Sequence, residues 1–231
     1  MIFMVTTVVI AFMHTLLGPD HYVPFIVLAR SGKWSYKKTF FITTLCGIGH
    51  VSSSIFLGLV GIGVGITLSK IQFFETFRGH IAGWLLISFG LVYGLWGLRQ
   101  AYKNKPHKHL HIHPDGTTHT HMHTHMKGHS HAHEVDEKKT SFWILFLIFV
   151  FGPCEPLIPL IMAPASKGNI KGVVAVAIVF SLITILVMLS LVFASLLGLQ
   201  QIKNRTFEKY LPSLSGLIIL LAGIGIEFLG L

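Results

Sequence analysis

The chain has 231 residues, of which 52% are hydrophobic and only 12% charged, with a formal net charge of +9. Its mean hydropathy of +0.68 excludes an ordinary soluble domain. The basic excess does not indicate nucleic-acid binding, because Lys and Arg lie between apolar runs and no basic segment carries interleaved aromatic residues. The composition therefore predicts an integral membrane protein.

Apolar runs long enough to cross a bilayer, about 20 residues each, predict six transmembrane helices. The first run could instead be a cleaved signal peptide, but it lacks a basic start and a small-residue cleavage site. We therefore expect an all-α membrane protein with six spans. They lie at residues 2–28, 39–67, 80–101, 142–163, 169–198 and 211–230.

The basic residues also predict an orientation. If the six spans alternate in direction, 14 Lys and Arg residues fall on one side of the membrane, and four on the other. Cytoplasmic loops carry the excess of Lys and Arg. We therefore expect a cell-membrane protein with both termini outside and the loop at 102–140, between predicted helices 3 and 4, on the cytoplasmic side.

The two cysteines, Cys46 and Cys154, both fall inside predicted spans. This placement does not indicate the disulfide framework of a small secreted protein.

A weak internal repeat divides the chain into two halves. The segments "GPDHYVPFIVLARSGKWSYKK" at 18–38 and "GPCEPLIPLIMAPASKGNIKG" at 152–172 share a Gly-Pro, two polar residues, another Pro and a basic turn. Three helices per half is an odd number, so the copies would cross the membrane in opposite senses, as in many transporters. We predict two inverted three-helix repeats at 1–101 and 141–231, joined by an insert at 102–140. Chance similarity between apolar helices is the alternative.

The insert has a different composition, with eleven histidines, many of them in His-x-His alternation. It has no apolar period and cannot bury a core, so we expect a disordered His-rich loop. Imidazoles on a flexible chain suit Ni(II), Co(II), Zn(II) or Cu(II), which predicts low-affinity metal binding. The histidines are His107, His109, His111, His113, His119, His121, His123, His125, His129, His131 and His133.

Polar residues interrupt the first predicted span. An unpaired, charged Asp20 in the middle of an apolar helix costs about 3 kcal/mol, and His14 and His21 share a helical face because they lie seven residues apart. A break at Gly18-Pro19 would bring the three side chains together in one cavity. The alternative for His14 is a core histidine bonded to a neighbouring carbonyl group.

Three further residues could complete such a metal site. His50 on helix 2 could add a nitrogen, although a hydrogen bond between helices would also explain it. Cys154 and Glu155 occupy the places of Asp20 and His21 in the second half, and thiolate and carboxylate are both ligands for borderline metals. Cys154 could instead be a small packing residue. His80 and Glu227 are expected at the membrane interface.

The segment "HTLLGPDH" resembles the His-x5-Asp-His signature of small nickel permeases associated with hydrogenase and urease maturation. The His-rich loop resembles that of nickel/cobalt efflux proteins, and "FGPCEPLIP" resembles a segment of a broader exporter superfamily with two three-helix halves. This resemblance implies that His14, Asp20 and His21 form a metal-selecting helix.

These observations favour a secondary transporter of divalent transition-metal ions, most simply nickel or cobalt, with efflux favoured over uptake. The ion, Ni or Co and in the alternative Zn, would be a transported substrate. We expect no enzyme activity, no catalytic cofactor and no nucleic-acid partner, with the lipid bilayer as surroundings. A metal uptake permease of the same superfamily is the nearest alternative.

Two other classes remain as alternatives. The membrane thiol-disulfide electron carriers of cytochrome maturation resemble this chain in having two inverted three-helix halves. In those carriers a Cys follows a break in each half, whereas this chain has Asp20 in the first half, and Cys46 is out of register with Cys154. A sulfite or small-anion exporter is disfavoured, because anion sites use basic residues or helix N-termini and the predicted spans contain no central basic residue.

Overall fold

The computed structural model describes residues 2–103, 107–112, 118–123, 137–199 and 205–229. Helices make up most of this part of the chain. In order they are α1 (Ile2–Leu17), a 3-10 turn (Pro19–His21), α2 (Val23–Ser31), α3 (Tyr36–Val64), α4 (Leu68–Lys103), α5 (Glu137–Phe151), α6 (Leu157–Ala165), α7 (Ile170–Leu199), α8 (Arg205–Ile224) and a π-helical turn (Gly225–Leu229).

Four of these helices are long and apolar enough to cross a membrane: α3, α4, α7 and the Glu208–Phe228 segment, which covers most of α8 and the π-helical turn. The bent pair of α1 and α2, with an angle of 80° at its break, makes a fifth if it counts as one span. The apolar part of α5, Phe142–Phe151, is short. The chain is therefore a multi-pass membrane protein with four or five candidate spans among the described residues, all of them helical, where the sequence predicted six.

The predicted start of helix 3 at residue 80 is wrong, because α4 already begins at Leu68. Arg78 favoured a later start, since charged residues usually mark the end of a span. It lies instead inside α4, where it pairs with Glu75. Arg78 thus lies inside the candidate span Leu68–Tyr102, whereas the sequence predicted spans with no central basic residue.

Part of the insert forms a short antiparallel pair of strands, β1 (His107–Ile112) and β2 (Thr118–His123). The register places His107 opposite His123 and His111 opposite His119. The expectation of disorder throughout the insert is wrong for these two segments.

The two halves of the chain pack against each other through pairs of helices. Helix α1 of the first half packs against α7 of the second half, and α5 of the second half packs against α3 of the first. The most extensive contact joins α4 to α8. It depends on glycines: a Cβ added at Gly216 would lie 2.7 Å from the Gly90 carbonyl oxygen and even closer to the backbone of Gly94. Small residues at such positions let membrane helices approach closely.

The buried apolar side chains form two clusters. One contains Phe25, Cys46 and Met188, and the other contains Cys154 and Phe180. Both cysteines are free thiols with no exposed surface. The two thiols are thus placed in different parts of the core.

Candidate functional site

The first break, between α1 and α2, follows from Gly18 and Pro19. Gly18 has extended backbone angles (φ −87°, ψ 93°), and Pro19 has no N–H with which to continue the helix. The Leu16 carbonyl oxygen accepts a hydrogen bond from the Tyr22 hydroxyl at 3.3 Å. The break interrupts the helical hydrogen bonds, and a nearby side chain supplies a donor for the Leu16 carbonyl oxygen. Backbone polar groups inside a membrane need such partners.

Asp20 and His21 fold back over this break. Nδ1–H of His21 donates to the Gly18 carbonyl oxygen and to Oδ1 of Asp20, both at 3.1 Å. The side chain of His21 is 3% exposed and that of Asp20 is 20% exposed. Nε2 of His21 is buried and has no hydrogen-bond partner among the residues that the structure describes, so one nitrogen of this ring is available there.

The space above Gly18 is filled by these two side chains. A Cβ at this position would lie 2.5 Å from Nδ1 of His21 and 2.9 Å from Oδ1 of Asp20. Replacing Gly18 with Ala should therefore displace both groups and destabilise the protein by about 1–3 kcal/mol, the usual cost of overpacking. The measurement is the apparent melting temperature in detergent.

The control is Gly63→Ala in α3, because an added Cβ there meets nothing within 4 Å. That change should be neutral or slightly stabilising, since Ala is the better helix former by about 1 kcal/mol. Equal melting temperatures for Gly18→Ala and Gly63→Ala would contradict the packing described around Gly18.

The second break, between α5 and α6, is held by side chains from α3 and α4. Pro153 cannot donate to the Phe149 carbonyl oxygen, which accepts from Nδ1–H of His50 at 3.3 Å in addition to the Gly152 N–H at 3.2 Å. Pro156 likewise cannot donate to the Gly152 carbonyl oxygen, which accepts from Arg78 at 3.3 Å. Each proline therefore removes a backbone donor that a side chain replaces.

An ion pair between Glu75 and Arg78 completes this support. Glu75 has no exposed surface, contacts Arg78 and accepts a hydrogen bond from the Cys154 N–H at 3.0 Å. Arg78 also donates to the Val150 carbonyl oxygen at 2.8 Å, the helical acceptor that Cys154 no longer uses. The sequence analysis missed Glu75; its only signal was a carboxylate three residues before an Arg inside an apolar stretch.

Three histidines meet beside the two breaks. The ring centroids of His14 and His21 are 4.6 Å apart, those of His21 and His50 are 4.9 Å apart, and those of His14 and His50 are 6.5 Å apart. A neutral imidazole that donates through Nδ1–H carries its lone pair on Nε2. In His50, which is 2% exposed, this Nε2 is buried and has no hydrogen-bond partner within the described part of the chain.

Cys154 joins this cluster from the other half of the chain. Its Sγ lies 3.7 Å from Nε2 of His14. The possible metal ligands are one atom each of His14, His50 and Cys154. These three atoms lie within 4.8 Å of one another, so they could hold a single metal ion. The three residues come from α1, from α3 and from the segment between α5 and α6, so the cluster joins both halves.

A cavity of about 750 Å³ opens beside the cluster. Its lining includes His14, Asp20, His21 and His50 from the first half, and Glu155 from the second. Glu155 is exposed. His14, Asp20, His21 and His50 therefore line the same cavity.

The other predicted residues are His80, Glu227 and the histidines of the insert. Nδ1 of His80 is 3.0 Å from Oε1 of Glu227, with the His80 side chain 55% exposed and that of Glu227 12% exposed; both residues line the cavity. The side chains of the eleven insert histidines lie outside the described residues, so low-affinity metal binding by the loop stays a prediction.

The fold and site define a helical membrane protein with two broken helical segments, in which Cys154 contacts His14 beside a cavity that His14, Asp20, His21 and His50 line. The family model of the cytochrome c biogenesis protein transmembrane region matches residues 6–225, and the chain belongs to this family. Comparison with curated proteins gave no significant match. Comparison with solved structures gave none either.

This match corrects the resemblance to nickel/cobalt permeases and efflux proteins, which is wrong. The prediction of divalent-metal transport, by efflux or uptake, and of a nickel or cobalt dication as partner is wrong with it. The physical reason lies in the shortness of the signature: a Gly-Pro break lined by His and Asp satisfies general membrane constraints. The family model instead matches nearly the whole chain.

Proposed function

We propose that this protein is a membrane thiol carrier of the cytochrome c biogenesis type, which passes reducing equivalents between thiol partners through Cys154. Membership of the family supports a function in thiol-disulfide chemistry. The observation that carries the proposal is the position of Cys154. It follows the Gly152-Pro153 break directly and its Sγ lies 3.7 Å from Nε2 of His14, beside the cavity.

The thiolate is the reactive form of cysteine, and an imidazole within reach can take up the thiol proton. In the proposed reaction the Cys154 thiolate attacks the disulfide of an acceptor, which forms a mixed disulfide and releases one acceptor thiolate. A donor dithiol then attacks the Cys154 sulfur, which releases the fully reduced acceptor. The second donor thiol closes the donor disulfide and regenerates Cys154, so two electrons pass from donor to acceptor.

This route uses one cysteine of the chain, because Cys46 and Cys154 lie in different core clusters. A pair of thiols within the chain would have to meet in order to form a disulfide. The donor and the acceptor therefore each supply two thiols in the proposed cycle, and Cys46 is a packing residue.

The two-half architecture is also part of the proposal. Each half consists of a broken segment followed by two long helices, and the partners exchange between halves, with α1 against α7 and α5 against α3. This pattern supports two inverted repeats, with the α5–α6 segment as a sixth, broken membrane segment. The Lys and Arg distribution supports both termini outside and the His-rich insert in the cytoplasm.

The test uses the protein in sealed vesicles, with an impermeant dithiol outside and a disulfide-containing reporter protein inside. We expect reduction of the reporter at a rate well above that of empty vesicles. Cys154→Ser should lower the rate to that of empty vesicles, because its hydroxyl cannot form the mixed disulfide.

Cys46→Ser is the matched control, since it replaces an equally buried free thiol, and it should retain the rate of the unsubstituted protein. Reduction by Cys154→Ser at the unsubstituted rate would refute the proposal. Loss of activity in Cys46→Ser, with the protein still folded, would refute the single-thiol route.

A further inference from the structure

We infer that His14, His50 and Cys154 form a resident binding site for one Cu(I) ion. The ion would be held in place by the protein and is not a transported cargo. This inference goes beyond the proposed thiol exchange and does not rest on it.

The geometry of the three donors suits a single ion. Their ligand atoms lie within 4.8 Å of one another, and Sγ of Cys154 is 3.7 Å from Nε2 of His14. With a metal–sulfur bond of about 2.3 Å and a metal–nitrogen bond of about 2.0 Å, this separation corresponds to an S–metal–N angle of about 119°. That angle lies between tetrahedral and trigonal values, so His14 and Cys154 need little rearrangement to bind.

The unused nitrogen of His50 is an independent indication of a ligand. Its Nδ1–H donates to the Phe149 carbonyl oxygen at 3.3 Å, which leaves Nε2 as the lone-pair nitrogen. Across residues 2–103, 107–112, 118–123, 137–199 and 205–229, this buried Nε2 has no hydrogen-bond partner. A ligating imidazole typically donates its other N–H to a carbonyl group in this manner.

The donor type and the charge select Cu(I). Thiolate is a soft ligand that favours Cu(I) or zinc, and imidazole suits copper and zinc. Cu(I) with one thiolate and two neutral imidazoles is uncharged, whereas Zn(II) would leave one positive charge buried at high cost. Asp20 does not offset that charge, because its Oδ1 is bonded to the His21 ring.

Binding requires loss of the Cys154 thiol proton and no change in oxidation state. The proton leaves through the adjoining cavity, and the Cu–S bond replaces the S–H bond. A Cu(I)-bound Cys154 cannot form a mixed disulfide at the same time. The site thus makes the thiol either a metal ligand or an exchange partner.

The test is an anaerobic titration of the full-length protein in detergent with Cu(I) and a competing chromogenic chelator. We expect one Cu(I) per chain to resist the chelator and to give a thiolate-to-copper charge-transfer absorption. Cys154→Ser should abolish this absorption and weaken the tightest site at least about a hundredfold, more than loss of a ligand's outer partner costs. His14→Gln should weaken the same site.

Cys46→Ser is the matched control and should keep both the absorption and the affinity. The His-rich insert contains no cysteine, so its copper cannot produce the thiolate absorption. Equal absorption and affinity in Cys154→Ser would overturn the inference, as would retention of Zn(II) in preference to Cu(I). Because no disulfide substrate is present, either result leaves the proposed thiol exchange standing.

Discussion

Replacing Arg78 with Met should destabilise the protein by about 3–5 kcal/mol, the cost of leaving one member of a buried ion pair without its partner. Glu75 would remain fully buried with its charge uncompensated. The Val150 and Gly152 carbonyl oxygens, which accept from Arg78 at 2.8 and 3.3 Å, would lose a donor as well. The measurement is the unfolding free energy, or the apparent melting temperature in detergent.

The matched control is Lys70→Met, because Lys70 is an exposed basic residue on the same helix, α4. It should change stability by less than about 0.5 kcal/mol, as surface substitutions usually do. The double variant Glu75→Gln/Arg78→Met removes both charges and should be more stable than Arg78→Met. Similar stabilities for Arg78→Met and Lys70→Met would show that the ion pair does not support the second break.

Replacing Gly216 with Leu should separate α4 from α8 and cost about 3 kcal/mol, the upper end of the range for overpacking. A Cβ at Gly216 already falls 2.7 Å from the Gly90 carbonyl oxygen. The neighbouring atoms belong to helix backbone, so no side-chain rotation can make room. The expected result is a large fall in apparent melting temperature, together with poor recovery of folded protein.

Gly198→Leu in α7 is the control, since a Cβ there meets no atom of the described residues within 4 Å and the position is exposed. Both variants add the same side chain to a membrane helix, so they differ only in what it meets. We expect Gly198→Leu to match the unsubstituted protein. Equal damage from the two changes would mean that Leu acts through insertion or expression, and that α4 and α8 do not depend on close contact.

The membrane class and the first break could be predicted from sequence, because both depend on local chemistry. About 20 apolar residues in a row have one stable environment, and Gly18-Pro19 interrupts a helix wherever it occurs. The bounds of the long helices α3 and α7 were predicted within a few residues for the same reason.

The support of the second break could not be predicted, because it depends on partners distant in the chain. The Glu75 carboxylate meets the Cys154 N–H across 79 positions, and no local pattern encodes that contact. The start of α4 was misplaced because a charged residue normally ends a span. Here Glu75 and Arg78 pair inside the protein, and this removes the penalty that the prediction assumed.

The sequence motif in the first span also could not identify the family. His14, Asp20 and His21 do line one cavity, as the broken helix predicts. Their identity as a transition-metal signature rested on eight consecutive residues, however, whereas the match to the cytochrome c biogenesis transmembrane region extends over 6–225. A short polar cluster inside a membrane segment indicates that a site exists, but it does not identify the chemistry of that site.

The way in which Arg78 and Glu75 hold the α5–α6 break has a consequence for biosynthesis. The carboxy-terminal half leaves the ribosome with carbonyl groups that its own prolines cannot satisfy, and lipid offers them no donor. The amino-terminal half must therefore already be in the bilayer, with α4 positioned, to receive them. Translation order thus makes the earlier half a template for the later one, and swapping the two halves in a circularly permuted gene would remove that template.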